Sequence, residues 1–221
     1  MPPPPFNGAA AAGRRRLQNA RRDATAAVAD TAMISLFRRD PTLEAARRAY
    51  QSVVEHARRP EFFRLCGVPD TLDGRFELIC LHAFLYLRRL KREQPRSEAL
   101  AQRFFDTMFG DLDNSLRELG TGDLSVSREI RRMAEAFYGR IQAYDDGLAG
   151  DDALLYPALV RNLFGTATEA TAGVSAVAAY LRRAADHLDA QDAAPLLDGE
   201  VSFAPPPQEI PGLAADLQDG R

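Results

Sequence analysis

Ten residues from Leu78 to Leu87, LICLHAFLYL, are apolar except for His82, and Arg88, Arg89, Lys91 and Arg92 close the run. A helix that is apolar on every side is central either to a helical domain or to a membrane. A spanning helix needs about 20 apolar residues, roughly twice what this run supplies. The sequence therefore predicts a buried central helix from about Asp70 to Arg92. Ahead of it, Gly67 and Pro69 make a turn, and Asp70 or Thr71 can cap the first helical turn. His82 has no second histidine close in sequence, and Glu77, five positions back, is off its helical face. A buried, hydrogen-bonded histidine is the expectation, since polar groups are rarely buried unpaired.

The rest of the chain fits around such a helix. Asp40-Pro41 is a helix start, with a cap and then Pro at the first helical position. Leu43, Ala46, Tyr50, Val53, Val54 and Ala57 follow at helical spacing. Pro60 interrupts, and Glu61 to Cys66 reads as a short helical piece stopped by Gly67. Beyond Pro95, with Ser97 as cap, Leu100, Phe104, Met108, Leu112, Leu116 and Leu119 recur every three or four residues until Gly120 and Gly122. The next helix is expected from Ser125 or Ser127, with Ile130, Met133, Phe137, Ile141, Tyr144 and Leu148 inward. Gly139 would weaken it by roughly 1 kcal/mol and would let a neighbouring helix come close. Asp151 or Asp152 caps a shorter helix carrying Leu155, Leu159 and Leu163, and Gly165 stops it. Thr166 to Glu169 reads as a capping box before a last long helix with Val174, Val177, Leu181 and Leu188 inward. No strand pattern and no internal repeat is present. The fold expected is all-α: one compact helical domain of five to six main helices over 34–192, with disordered tails.

The tails are set by composition. Residues 1–33 begin with four prolines and continue in Ala and Arg, with little to bury; the Arg-rich, acid-poor arm also has the composition of a mitochondrial presequence. Ile34 to Phe37 is a short apolar anchor expected to dock on the domain. Residues 193–221 are acidic and carry Pro205, Pro206 and Pro207, which predicts an extended or disordered tail. With 28 basic against 31 acidic residues the net charge is −3, which argues against a coat for duplex DNA. Cys66 and Cys80 match no zinc or redox spacing and are expected as buried free thiols in a reducing compartment. No secretory signal peptide is recognised.

Catalytic chemistry finds no support in the motifs. Asp106, Asp111, Asp113 and Glu118 fall between the apolar positions of their helix, on a solvated face. Gly120-Thr-Gly-Asp123 is not a phosphate loop, because no Lys follows it and no strand precedes it. No Glu-x-x-His pair suits a di-metal bundle site. His187, between Asp186 and Leu188 with Asp189 nearby, belongs on the surface. The cations at Arg88 to Arg92 suit a helix C-terminus. Arg128, Arg131 and Arg132 open a helix instead, where the dipole does not favour them. That makes them the better candidates for an acidic partner, ribosomal RNA or a membrane surface.

Several ordered patches resemble one known family. They are Gly67-Val-Pro-Asp-Thr-Leu-Asp-Gly-Arg-Phe-Glu-Leu78, then Leu81-His82 and Leu87-Arg88-Arg89-Leu90. Next come Phe105-Asp106-x-Met108-Phe109-x-Asp111-x-Asp113-x-Ser115-Leu116-Arg117-Glu118, Gly120-x-Gly-Asp123-Leu124, Met133-Ala134 and Ala136-Phe137-Tyr138-Gly139-Arg140. Arg161-Asn162-Leu163 and Tyr180-Leu181-Arg182 complete the set. Together they resemble the ubiquinol–cytochrome c chaperone family, in its compact bacterial form, over roughly Leu36 to Leu188. The resemblance implies a non-enzymatic assembly factor for the cytochrome bc1 complex (complex III), holding newly made cytochrome b or another bc1 subunit. It implies no catalytic residue, cofactor or metal, and no DNA. Eukaryotic members work at the mitochondrial inner membrane with a small partner and the mitoribosome; for the compact bacterial form the implied location is the cytoplasm, peripheral to the inner membrane and near the ribosome. The residues expected to bind a partner are Asp70, Asp73 and Arg75 ahead of the central helix, Asp111, Asp113 and Arg117, and the basic group Arg128, Arg131 and Arg132. The competing class is a helical scaffold or adaptor that binds a protein or nucleic acid through its basic patches. A helical enzyme built on His82 is a third.

Overall fold

The structure is a computed structural model. It describes residues 40–118, 120, 122–165 and 172–209, without the Leu124 side chain. The N-terminal arm, the Ile34 to Phe37 patch, Leu119, the Thr166 to Glu169 capping box and the chain from Ile210 onward lie outside the described residues. The elements are α1 (Pro41–Ala57), α2 (Pro60–Arg64), α3 (Leu72–Lys91), α4 (Glu98–Glu118), α5 (Asp123–Ala149), α6 (Asp152–Leu159), a π-helical turn (Val160–Phe164), α7 (Ala172–Asp189) and α8 (Ala193–Leu197). The fold is all-α, and the described residues contain no strand.

The central helix is α3, which packs against α1, α4, α5, α7 and the π-helical turn. Thr71 caps it, its hydroxyl oxygen accepting from the Gly74 amide at 3.1 Å. Leu78, Leu81, Phe84, Leu85, Tyr86 and Leu90 are all fully enclosed. Each such side chain is worth roughly 1.5–3 kcal/mol relative to exposure, so this one helix anchors the core.

Its basic end serves tertiary structure. Arg89 is buried and donates to the carbonyls of Leu188 and Gln191, each at 3.0 Å, so it satisfies the C-terminal end of α7. Arg88 bridges Asp145 and Asp189, and Arg92 also reaches Asp189.

Several expectations at helix ends are corrected. The Ser97 hydroxyl points back and donates to Leu90 O at 2.6 Å, tying α4 to the end of α3. Helix α5 begins at Asp123, ahead of Ser125 and Ser127, with Gly122 as an N-cap that has no side chain to offer. Gly139 faces open space, and the close approach falls at Gly147 instead, where a Cβ would lie 2.9 Å from Leu155 Cα. That contact seats α6 on α5.

The tail expectation is corrected too. Residues 193–209 belong to the domain. Leu196, Phe203 and Ala204 are buried, and at Gly199 a Cβ would collide with Ala45 O at 2.0 Å. Gln191 brackets the strap: its Nε2 donates to Ser202 O at 2.6 Å, and its Oε1 accepts from Ser202 N at 3.2 Å.

Phe203 reaches the histidines. His82 is wholly buried. Its Nδ1 lies 2.7 Å from Leu78 O, which can only accept, so Nδ1 carries the proton. Nε2 then accepts from the Tyr180 hydroxyl, also at 2.7 Å. A second histidine is in fact beside it: the His56 ring lies 5.1 Å from that of His82, with Phe62, Tyr180 and Phe203 packed around the pair. Burial lowers His82 to about 3, aided by the neighbouring His56. Burial, then the charge of Arg59, lowers His56 to about 4. Both rings are therefore neutral in the folded protein. His187 is exposed. Cys66 and Cys80 are free and buried, and burial pushes the Cys66 thiol up to about 11.

Candidate functional site

The turn before α3, the first two turns of α3, the C-terminal part of α4, the middle of α5 and the π-helical turn converge on one groove of about 650 Å³. Phe76, Leu112, Leu116, Met133, Leu163 and Phe164 supply its apolar surfaces. Leu72, at the first helical position of α3, lines it as well and is 72% exposed. Another cavity, of about 470 Å³ between α1 and the strap, is lined mostly by polar groups such as Arg48, Gln51, Glu55 and Gln191. An apolar surface with convergent polar groups is the better binding site.

A buried ion pair forms part of the groove lining. Arg140 from α5 grips Glu77 of α3 with two hydrogen bonds, Nε to Oε2 at 2.6 Å and Nη2 to Oε1. The guanidinium also lies over the Phe76 ring, 5.9 Å from its centroid. Burial raises the Glu77 carboxyl, and Arg140 offsets part of that rise. Arg132 pairs with Glu129. Arg161 and Asn162 enter from the π-helical turn, a geometry often found at functional sites.

The residues singled out from sequence are dispersed. Asp73 and Arg132 line the groove. Asp70 and Arg75 form an exposed ion pair at 2.7 Å just outside it, of the kind that adds little stability. Asp111 faces α1, where it accepts from the Tyr50 hydroxyl at 2.8 Å. Arg117 joins Asp113, at 2.6 Å, to Asp123 and so ties the end of α4 to the start of α5. Arg128 and Arg131 are exposed on α5. Sequence reasoning named none of Glu77, Arg140, Phe76, Leu116, Met133 or Arg161 as a partner-binding residue, and it read Leu116 and Met133 as part of the apolar stripes of their helices. A usable signal existed, because these residues lie in separate patches of the resemblance, and patches far apart in sequence share one lining.

Among the described residues no three His, Cys, Asp or Glu are placed to hold a metal ion, and no helix is long and apolar enough to cross a membrane.

The profile of the ubiquinol-cytochrome C chaperone family matches residues 64–203. That span contains the whole groove, from Pro69 to Gly165, and the strap as far as Phe203. The chain is 32% identical over 162 residues to ubiquinol-cytochrome-c reductase complex assembly factor 1 of Xenopus laevis, an alignment covering 73% of this chain and 81% of that protein. Identity to the Homo sapiens protein of that name is also 32% over 162 residues, covering 73% of this chain and 54% of the relative, so the chain spans about half its length. Among solved structures, the crystal structure of the Cbp3 homolog from Brucella abortus is similar with a TM-score of 0.69 at 37% identity, over 80% of this chain and 99% of that one.

Proposed function

This chain belongs to the ubiquinol–cytochrome c chaperone family, and from that premise we propose that it is an assembly chaperone for ubiquinol–cytochrome c reductase, acting by binding and not by catalysis, with newly made cytochrome b as its client. The observation that carries this reading is the groove: an apolar surface with an exposed leucine at its edge, bounded by charged side chains. Nascent membrane subunits expose apolar segments before their partners cover them, and such a cleft shields one reversibly. Work on that client places the chaperone at the face of the inner membrane. Arg128 and Arg131, exposed on α5, suit an anionic surface, at about 1 kcal/mol per basic residue.

The same two arginines favour the second reading, an adaptor that acts through its basic patch on the ribosome or another acidic partner. Complementation separates the two. Leu72→Asp puts a charge on the groove but should leave folding intact, because the side chain is exposed and an acid suits the first turn of a helix. In cells that respire through the bc1 complex and lack the gene, this variant should hold the client at least about tenfold less tightly and fail to restore the cytochrome b haem spectrum. The double variant Arg128→Glu/Arg131→Glu should restore it in large part. The opposite pattern would replace the chaperone reading with the adaptor reading.

A further inference from the structure

Six charged side chains line the groove: Asp73, Glu77, Glu129, Arg132, Arg140 and Arg161. Four of them neutralise one another as Glu77–Arg140 and Glu129–Arg132, which leaves Asp73 and Arg161. Among the described residues Arg161 has neither an ion pair nor a hydrogen-bond partner for its guanidinium, and it is exposed on the π-helical turn. Among the described residues the groove thus presents an apolar surface with one unpaired cation, Arg161, and one unpaired acid, Asp73.

We propose that the groove takes the end of an apolar segment, a few apolar side chains followed by an Asp or Glu whose carboxylate pairs with Arg161, and not the apolar middle of a membrane span. This rests on the groove being the holding site. A spanning helix offers about 20 apolar residues over some 30 Å, far more than a groove of about 650 Å³ covers. Laying such a helix across the lining would also strip water from charged side chains and return nothing to them. The end of a segment brings its own polar groups. The planar guanidinium fork matches a carboxylate with two parallel hydrogen bonds, and complementary charge fixes register and rejects wrong partners.

Three labelled synthetic peptides test this on the full chain by fluorescence anisotropy. Each carries the same leucine stripe, about three helical turns long, and they differ only in the residue that follows it: Glu, Gln or Lys. The Glu peptide should bind about tenfold more tightly than the Gln peptide, and the Lys peptide more weakly still. Arg161→Glu should reverse that order, whereas Arg128→Glu/Arg131→Glu should preserve it. Equal binding of the three peptides, weakened alike by Leu72→Asp, would overturn the carboxylate inference and leave the groove as the holding site. A preference for Glu that survives Arg161→Glu would overturn it as well. Failure of all three peptides to bind would overturn both the inference and the groove reading.

Discussion

Arg140→Ala will destabilise the domain by about 3 kcal/mol, because it strands the buried Glu77 carboxylate without its counter-charge. For a domain of this size that corresponds to a fall in Tm of roughly 6–12 °C. Urea denaturation measures the loss. The pair itself contributes far less than this figure, since taking both charges out of water offsets much of their attraction. The double variant Glu77→Leu/Arg140→Met, with both charges replaced by apolar groups, should therefore recover most of the stability. A loss below about 1 kcal/mol in Arg140→Ala would mean that water reaches Glu77 in the folded protein. Because the same pair lines the groove, Arg140→Ala should also weaken client holding, so its functional effect must be read against the double variant.

Acid should unfold the domain through its histidines. His56 and His82 have pKa values lowered to about 4 and about 3, while the unfolded chain titrates near 6.5. The unfolded state thus binds more protons below that value, and stability rises with pH. The histidine contribution is complete above about pH 6.5 and is lost as pH falls toward 4. Wholly buried His82 costs about 1.4 kcal/mol per pH unit, or about 2 kcal/mol at pH 5, and half-buried His56, partly screened by solvent, adds less than that. Their sum is a large share of the roughly 5–15 kcal/mol that a folded domain typically has. Between pH 6 and 5 the slope should correspond to nearly two protons, and His56→Phe should reduce it to nearly one. A urea midpoint unchanged between pH 7 and pH 5 would contradict the neutral state of the two rings in the folded protein.

Legibility in the sequence follows the range of the interactions. The central helix was readable because its apolar run, its Thr71 cap and its basic end are local and agree with one another. The all-α fold followed from periodicities of the same kind. The serines at 125 and 127 carry the stronger local start signal, but Gly122 opens α5 ahead of them without a capping side chain. The strap over 198–209 reads as tail by composition. The packing of Phe203 against His56 and His82, side chains from two different helices, together with buried Ala204 and the close approach of Gly199 to Ala45, makes it part of the core. The groove was the least readable feature. Glu77 and Arg140 are 63 residues apart, and neither alone differs from an ordinary charged position on a helix. Asp111 and Arg117 drew attention as charged residues in a matching patch, yet their partners are Tyr50 and the acids flanking the α4–α5 turn. Charge in sequence marks candidates, and packing decides which of them face a binding surface.

Photo-crosslinking in living cells tests the holding role of the groove most directly. A photoreactive residue is placed at Leu72 or Leu116 in the groove, and at Gln102 on the exposed face of α4 as a control. The captured proteins are then identified during synthesis of the bc1 complex. Cytochrome b should be captured from Leu72 and Leu116 and not from Gln102. Capture that is equal at the three positions, or no capture of cytochrome b from the groove, would contradict the assignment of this surface as the place where the client is held.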